Sequence, residues 1–293
     1  MEFDLSSPTA IANLLLAGEA QQIHLAIHHQ AGICIDLLHK AEQNNELDSN
    51  KTQSLTRQVK DNLEEASTLR FTLNTTDKKI QHEQNTNPVV KQICGVITAA
   101  GKEKTLDNLI DCLGDLDSKQ NLSNKSNPLS LIRSLVVDSM QNRVQMAWCY
   151  DDILEAHRSA LVANMINIAH RLTEVALLLQ DSSAIQEVRT MLKSLNLDVP
   201  SKVRVGSLKA SPTELKKILK DGIESMQTTH QDIARLDNQR KEMKKVVKQL
   251  NDKMGKETKP PASSSSYSHS AKGSKAQSKS SRRMIFRKFR DKS

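Results

Sequence analysis

From Leu129 to Gln180 the chain contains neither glycine nor proline, and no other stretch constrains the fold as strongly. Counted alternately in fours and threes from Val137, it passes through Met140, Val144, Ala147, Asp151, Leu154, Arg158, Leu161, Met165, Ile168, Leu172, Val175 and Leu179. All but Asp151 and Arg158 are apolar, which is the recurrence of one face of an α-helix. Asn127-Pro128 marks the start, a capping side chain ahead of a proline suited to the first helical position. The spacing predicts one long helix from Pro128 to Gln180.

Asp151 and Arg158 stand seven apart, at equivalent seam positions. Either they pair with each other across an antiparallel or staggered partner and set its register, or the helix breaks near Tyr150–Asp152 and both charges face water. The cost of burying two charges favours the second reading.

Similar signals recur along the chain. Ser7-Pro8 opens a helix expected to run to Glu42, with its stripe through Leu16, Ala20, Ile23, Ile27, Gln30, Cys34, Leu37 and Ala41. A second, from Leu55 to His82, repeats the period through Val59, Asn62, Ala66, Leu69, Leu73, Thr76 and Ile80. Asn62 falls within that seam, where a polar residue fixes register or oligomer number, or else sits at the wet edge of a bundle. Shorter helices are expected near 88–100, 106–116 and 183–195. Ser211-Pro212-Thr213-Glu214 is a capping box, and behind it the 4-3 pattern holds from Leu215 to Met254, weakened at Gly222, Thr229 and Arg240.

Seven aromatic residues occur: Phe3, Phe71, Trp148, Tyr150, Tyr267, Phe286 and Phe289. Three of them lie beyond residue 255, so the core must come from Leu, Ile, Val, Met and Ala, a palette that favours helices over sheets. The expected fold is an all-α, elongated helical bundle or coiled-coil protein with a disordered basic C-terminal tail. It divides into an N-terminal helical region (1–126), a long-helix core region (127–197), a linker (198–211), a C-terminal coiled-coil helix (212–255) and the Ser-rich tail (256–293).

Charge separates the tail from the rest. Residues 256–293 hold 11 of the 42 Lys and Arg and two of the 34 acids, a net of +9, which leaves the first 255 residues at −1. SSSSYSHSAKGSKAQSKSS, after Pro260-Pro261, is too polar to bury a core, and its serines are candidate phosphorylation sites, each adding roughly −1.5 to −2 charges. The last stretch mixes bases with large apolar residues. Lys272, Lys275, Lys279, Arg282, Arg283, Arg287, Lys288 and Arg290, with Phe286 and Phe289, are the candidate binding residues for an anionic partner. On RNA the bases would meet phosphates and the phenyl rings would stack on unpaired bases. On an anionic membrane Met284, Ile285, Phe286 and Phe289 would insert instead.

Nothing marks a catalytic centre: there is no phosphate-cradling glycine loop and no recognisable nucleophile motif. His24 and His28 are four apart, a spacing at which two imidazoles can share a metal, but HLAIH lacks the glutamate of the zinc-hydrolase motif. They read as histidines on a partly exposed helix face, and no metal or cofactor is implied. The four cysteines (Cys34, Cys94, Cys112, Cys149) form no CxxC, and no apolar run approaches 18 residues, so an intracellular, reduced setting is expected. Trp148 and Tyr150 are a packing anchor or a protein-partner hot spot.

These features imply a non-enzymatic scaffold that self-associates through its heptad helices and gathers RNA or a nucleoprotein through its tails, with avidity multiplying a weak contact. Its general plan is similar to that of viral polymerase cofactors of the phosphoprotein kind, though the neutral body and basic tail depart from their usual acidic N-terminal region. The alternative is a peripheral membrane adaptor anchored by the basic-aromatic C-terminus.

Overall fold

A computed structural model describes residues 7–44, 47–120, 128–198 and 210–257. The described residues form eight helices and no strand: α1 (Pro8–Ala17), α2 (Ala20–Gln43), α3 (Ser49–Thr86), α4 (Pro88–Ala99), α5 (Leu106–Gln120), α6 (Pro128–Leu179), α7 (Ser182–Ser194) and α8 (Pro212–Glu257). The chain is all-α, as its spacing predicts, and α6 runs without a break through Tyr150–Asp152.

The centre of the molecule is α6. Met146, Ala147, Cys149, Tyr150, Asp151, Ile153, Leu154, Ala156 and His157 are all buried, so in its middle the helix is covered on most of its circumference. Long-range bonds give the directions of its neighbours. Gly18 and Gln30 meet Arg143 and His157, so α2 runs parallel to α6. His24 bonds Ser67 and Gln21 bonds Arg70, so α3 returns antiparallel to α2. Asp151 meets Arg240 and Arg158 meets Asp237, which makes α8 antiparallel to α6. The long helices therefore run up, down, up and down. The shorter ones fill in around them: α1 and α5 pack on α6 and α8, α4 on α3 and α5, and α7 on α6.

The first helix departs from expectation. Instead of running from Pro8 to Glu42 it stops at Ala17 and restarts at Ala20. At Gly18 the backbone is extended, and a Cβ there would lie 2.3 Å from the Leu14 carbonyl oxygen, so only glycine fits. The carbonyls freed by the break are taken up by Arg143 of α6. Its Nη1 donates to Gly18 O at 2.6 Å and to Leu15 O at 3.4 Å, while Nη2 donates to Asp77 Oδ2 at 2.8 Å. Ser139 Oγ donates to the other Asp77 oxygen at 2.5 Å. A buried guanidinium thus joins the α1–α2 corner, α3 and α6, and α1 is free to turn onto α8.

Between α6 and α8, Gly222 faces Leu172. A Cβ at 222 would lie 2.6 Å from Leu172 Cδ2 and 3.3 Å from its Cγ, and Leu172 is itself buried and has nowhere to swing. Helix propensity alone favours Gly→Ala by about 1 kcal/mol, while overpacking costs roughly 1–3 kcal/mol. Gly222→Ala is therefore expected to destabilise by about 1 kcal/mol in urea unfolding. Gly32→Ala, in α2 with open space around the new methyl, should stabilise by roughly 0.5–1 kcal/mol.

Candidate polyanion interface on α8

The capping box forms as its residues suggest. Ser211 Oγ accepts from the Glu214 amide at 3.3 Å, and Glu214 Oε2 accepts from the Ser211 amide at 2.8 Å. From there α8 divides into two faces. Leu215, Leu219, Met226, Ile233, Leu236, Met243, Val247, Leu250 and Met254 are buried, and α6 is the principal helix they pack beside. On the far side Lys241, Lys244, Lys245 and Lys248 are exposed and together line an open surface. Lys245 pairs with Glu242, and Lys244 approaches Asp151 at 3.6 Å. Lys241 and Lys248 have no carboxylate partner among the described residues.

A ladder of ion pairs holds this helix in register on α6. Arg240 grips Asp151 with two bonds, Nε to Oδ1 at 2.7 Å and Nη2 to Oδ2 at 3.2 Å, and also pairs with Glu155. Nearly one turn back along α8, Asp237 accepts from Arg158 Nε at 2.8 Å. Asp151 and Arg158 thus do not pair with each other, nor do they turn to open water; each takes an opposite charge on α8 of the same chain. Lower on the bundle, Lys253 joins Asp107 and Asp111 of α5. The third register candidate, Asn62, is half-buried on α3, where its Nδ2 donates to the Gln58 carbonyl at 2.9 Å. The seams that heptad spacing offers for a coiled coil are in large part filled within one chain.

Next to the ladder sits Asp152. Burial, with the charges of Asp151 and Glu65, pushes its carboxyl up to about 6 against the opposing pull of Arg240 and Lys244. Trp148 and Tyr150 part company: Trp148 is 43% exposed on the surface, whereas Tyr150 is buried and its hydroxyl has no hydrogen-bond partner among the described residues. His24 bonds Ser67 Oγ at 2.9 Å, and no cluster of metal-ligating side chains forms among the described residues. Cys34 and Cys149 lie in the core, where burial pushes both thiols up to about 12 and keeps them unreactive. Among the described residues no helix is long and apolar enough to cross a membrane.

The ten tail residues expected to bind an anion, Lys272, Lys275, Lys279, Arg282, Arg283, Phe286, Arg287, Lys288, Phe289 and Arg290, lie outside the described residues, as does most of the 198–211 linker. Of the partners on α8, Arg240 shows in the sequence as a weak point of its seam, a flaw that complements Asp151; Asp237, the partner of Arg158, carries no such signal. No family model, curated protein or solved structure matches this chain.

Two measurements test the ladder. Arg240→Met leaves the buried Asp151 carboxylate with only the longer Lys244 contact at 3.6 Å and is expected to cost about 2 kcal/mol in urea unfolding, whereas the double change Asp151→Leu with Arg240→Met recovers most of that loss. Asp152 has the opposite sign from a stabilising carboxylate. Its folded-state value lies above the unfolded one, so the folded state holds the proton more tightly and stability falls as pH rises from about 4 to 6. Because the group is only partly buried, Asp152→Asn should stabilise by only about 1 kcal/mol at pH 7. The gain should vanish near pH 4 in thermal melts.

Proposed function

We propose that the protein is a non-enzymatic helical scaffold that gathers a polyanion, RNA or a nucleoprotein, on the lysine face of α8 and the basic sequence that follows it. The observation that supports this most directly is the arrangement of α8. Its apolar face and ion-pair ladder are committed to the body, so Lys241, Lys244, Lys245 and Lys248 are displayed from a fixed helix that leads into a segment of net +9. Lysines and arginines on one continuous stretch bind phosphates by releasing condensed counterions, which demands charge and little shape. Because the heptad seams are largely filled inside one chain, copies are brought together by sharing one polyanion rather than through a coiled coil.

The reading is tested with the full-length chain and single-stranded RNA titrated with salt. Binding is expected to fall with a log–log slope of about −5. Changing Arg282, Arg283, Arg287, Lys288 and Arg290 together to Gln should weaken it by at least about tenfold near 0.1 M salt. RNA affinity that is flat in salt and indifferent to these changes overturns the proposal. Binding to anionic phospholipid vesicles without binding to RNA replaces it with the membrane adaptor.

A further inference from the structure

A second basic concavity lies away from the α8 lysines. It lies between the start of α2, the outer side of α3 and the α4–α5 connection, with a volume of about 650 Å³, within the range of pockets that hold small ligands. At its edge stands Phe71, 64% exposed in a protein with few aromatic rings to spare for the core. The Arg70 guanidinium lies over the ring, 4.6 Å from its centroid, and is itself held by Gln21 Oε1 at 3.1 Å. One face of the ring is thus backed by a tethered cation.

The charges around this ring are unbalanced. Asp77 reaches the groove, but its two oxygens are occupied by Arg143 and Ser139. Lys78 lies seven residues after Phe71 on the same face of α3, about 10 Å along the axis, and Lys104 closes the groove from the α4–α5 connection. Neither lysine pairs with a carboxylate among the described residues. Against Arg70, Lys78 and Lys104 the groove keeps Glu19, at the start of a helix whose first turn has no side-chain cap and so adds its own positive end. Asn74, Gln81 and Gln84 supply neutral donors and acceptors along the wall.

We propose that this groove binds an unpaired nucleotide of single-stranded RNA, with the base stacked on Phe71 and the adjoining phosphates on Lys78, Lys104 and Arg70. An exposed ring beside uncompensated bases is the combination that holds single strands without a demand for sequence. The chain's own C-terminal segment is ruled out as occupant by its like charge. The inference deepens the RNA reading given above and rests on it for the class of ligand, but it places a contact on the folded body rather than on the tail.

The test uses full-length protein and a short RNA carrying 4-thiouridine, crosslinked by light and mapped by peptide mass spectrometry. An adduct is expected in the α3 segment around Phe71. Phe71→Ala should lose that adduct and weaken binding about 5- to 10-fold, the loss of one stacked base, while Phe71→Trp restores both. Lys78→Glu with Lys104→Glu should weaken binding further. Phe71, Lys78 and Lys104 are exposed, so unchanged thermal midpoints confirm that the variants fold. Adducts confined to residues beyond 257, with Phe71→Ala binding as the parent does, overturn the groove and leave the tail reading standing. An α3 adduct that survives neutralisation of the five tail bases with affinity unchanged upholds the groove and removes the tail. Absence of RNA binding in every form removes both.

Discussion

A helix as long as α6, apolar on most of its faces, cannot remain in water, and the arrangement of the molecule follows from covering it. Each fully buried aliphatic side chain contributes roughly 1.5–3 kcal/mol relative to exposure, and α6 carries them from Ile132 to Ala176. No single neighbour covers that circumference. The α2–α3 pair takes one side and α8 takes another, with α1, α5 and α7 packing along its length. Small residues at Ala147, Ala156, Ala160 and Ala169, and Gly222 opposite Leu172, allow these helices to come close without large aromatic side chains to fill the gaps.

Apolar contact alone would let long helices slide past one another, and the buried polar groups remove that freedom. Arg143 binds the α1–α2 corner and α3 at one level, Gln30 meets His157 Nδ1 at 2.9 Å at another, and Asp151 with Arg158 set the level of α8. Each pairing is satisfied at one register only, because a shift of one turn would strand a charge away from water. The same bonds present the α8 lysines and the groove at Phe71 from a rigid support, so two basic surfaces of the body hold fixed positions on it.

Much of this was legible in the sequence. The cap signals at Ser7-Pro8 and Ser211-Pro212 and the 4-3 spacing place the helices, because both are local signals; α3, which has no such signal, begins six residues before the expected Leu55 and ends four after the expected His82, and Asn127 lies outside the described residues. The break at Gly18 was not legible. A glycine inside a helix is tolerated at about 1 kcal/mol, and the group that stabilises the interruption, Arg143, stands 125 residues away. Asp151, Arg158 and Arg240 each interrupt an apolar seam, yet pairing them requires knowing which helices are antiparallel neighbours. Heptad spacing is equally silent on whether a seam is filled by the same chain or by another. Phe71 and Lys78 share one helix and are open to view, but Gln21 and Lys104, which help complete the groove, arrive from α2 and from the α4–α5 connection.

The separation of these contacts along the chain has a kinetic side. The bonds that close the molecule join residues 89, 125, 127 and 142 positions apart. Loop closure must precede the reward of such contacts, so the helices can form locally before the ladder that joins α6 to α8 is closed. The helix that completes it, α8, is also the last of the eight described helices to leave the ribosome. Until then the face of α6 around Asp151, Arg158 and Leu172 is bare, and a nascent or prematurely terminated chain is at that stage most prone to aggregate or to be held by a chaperone.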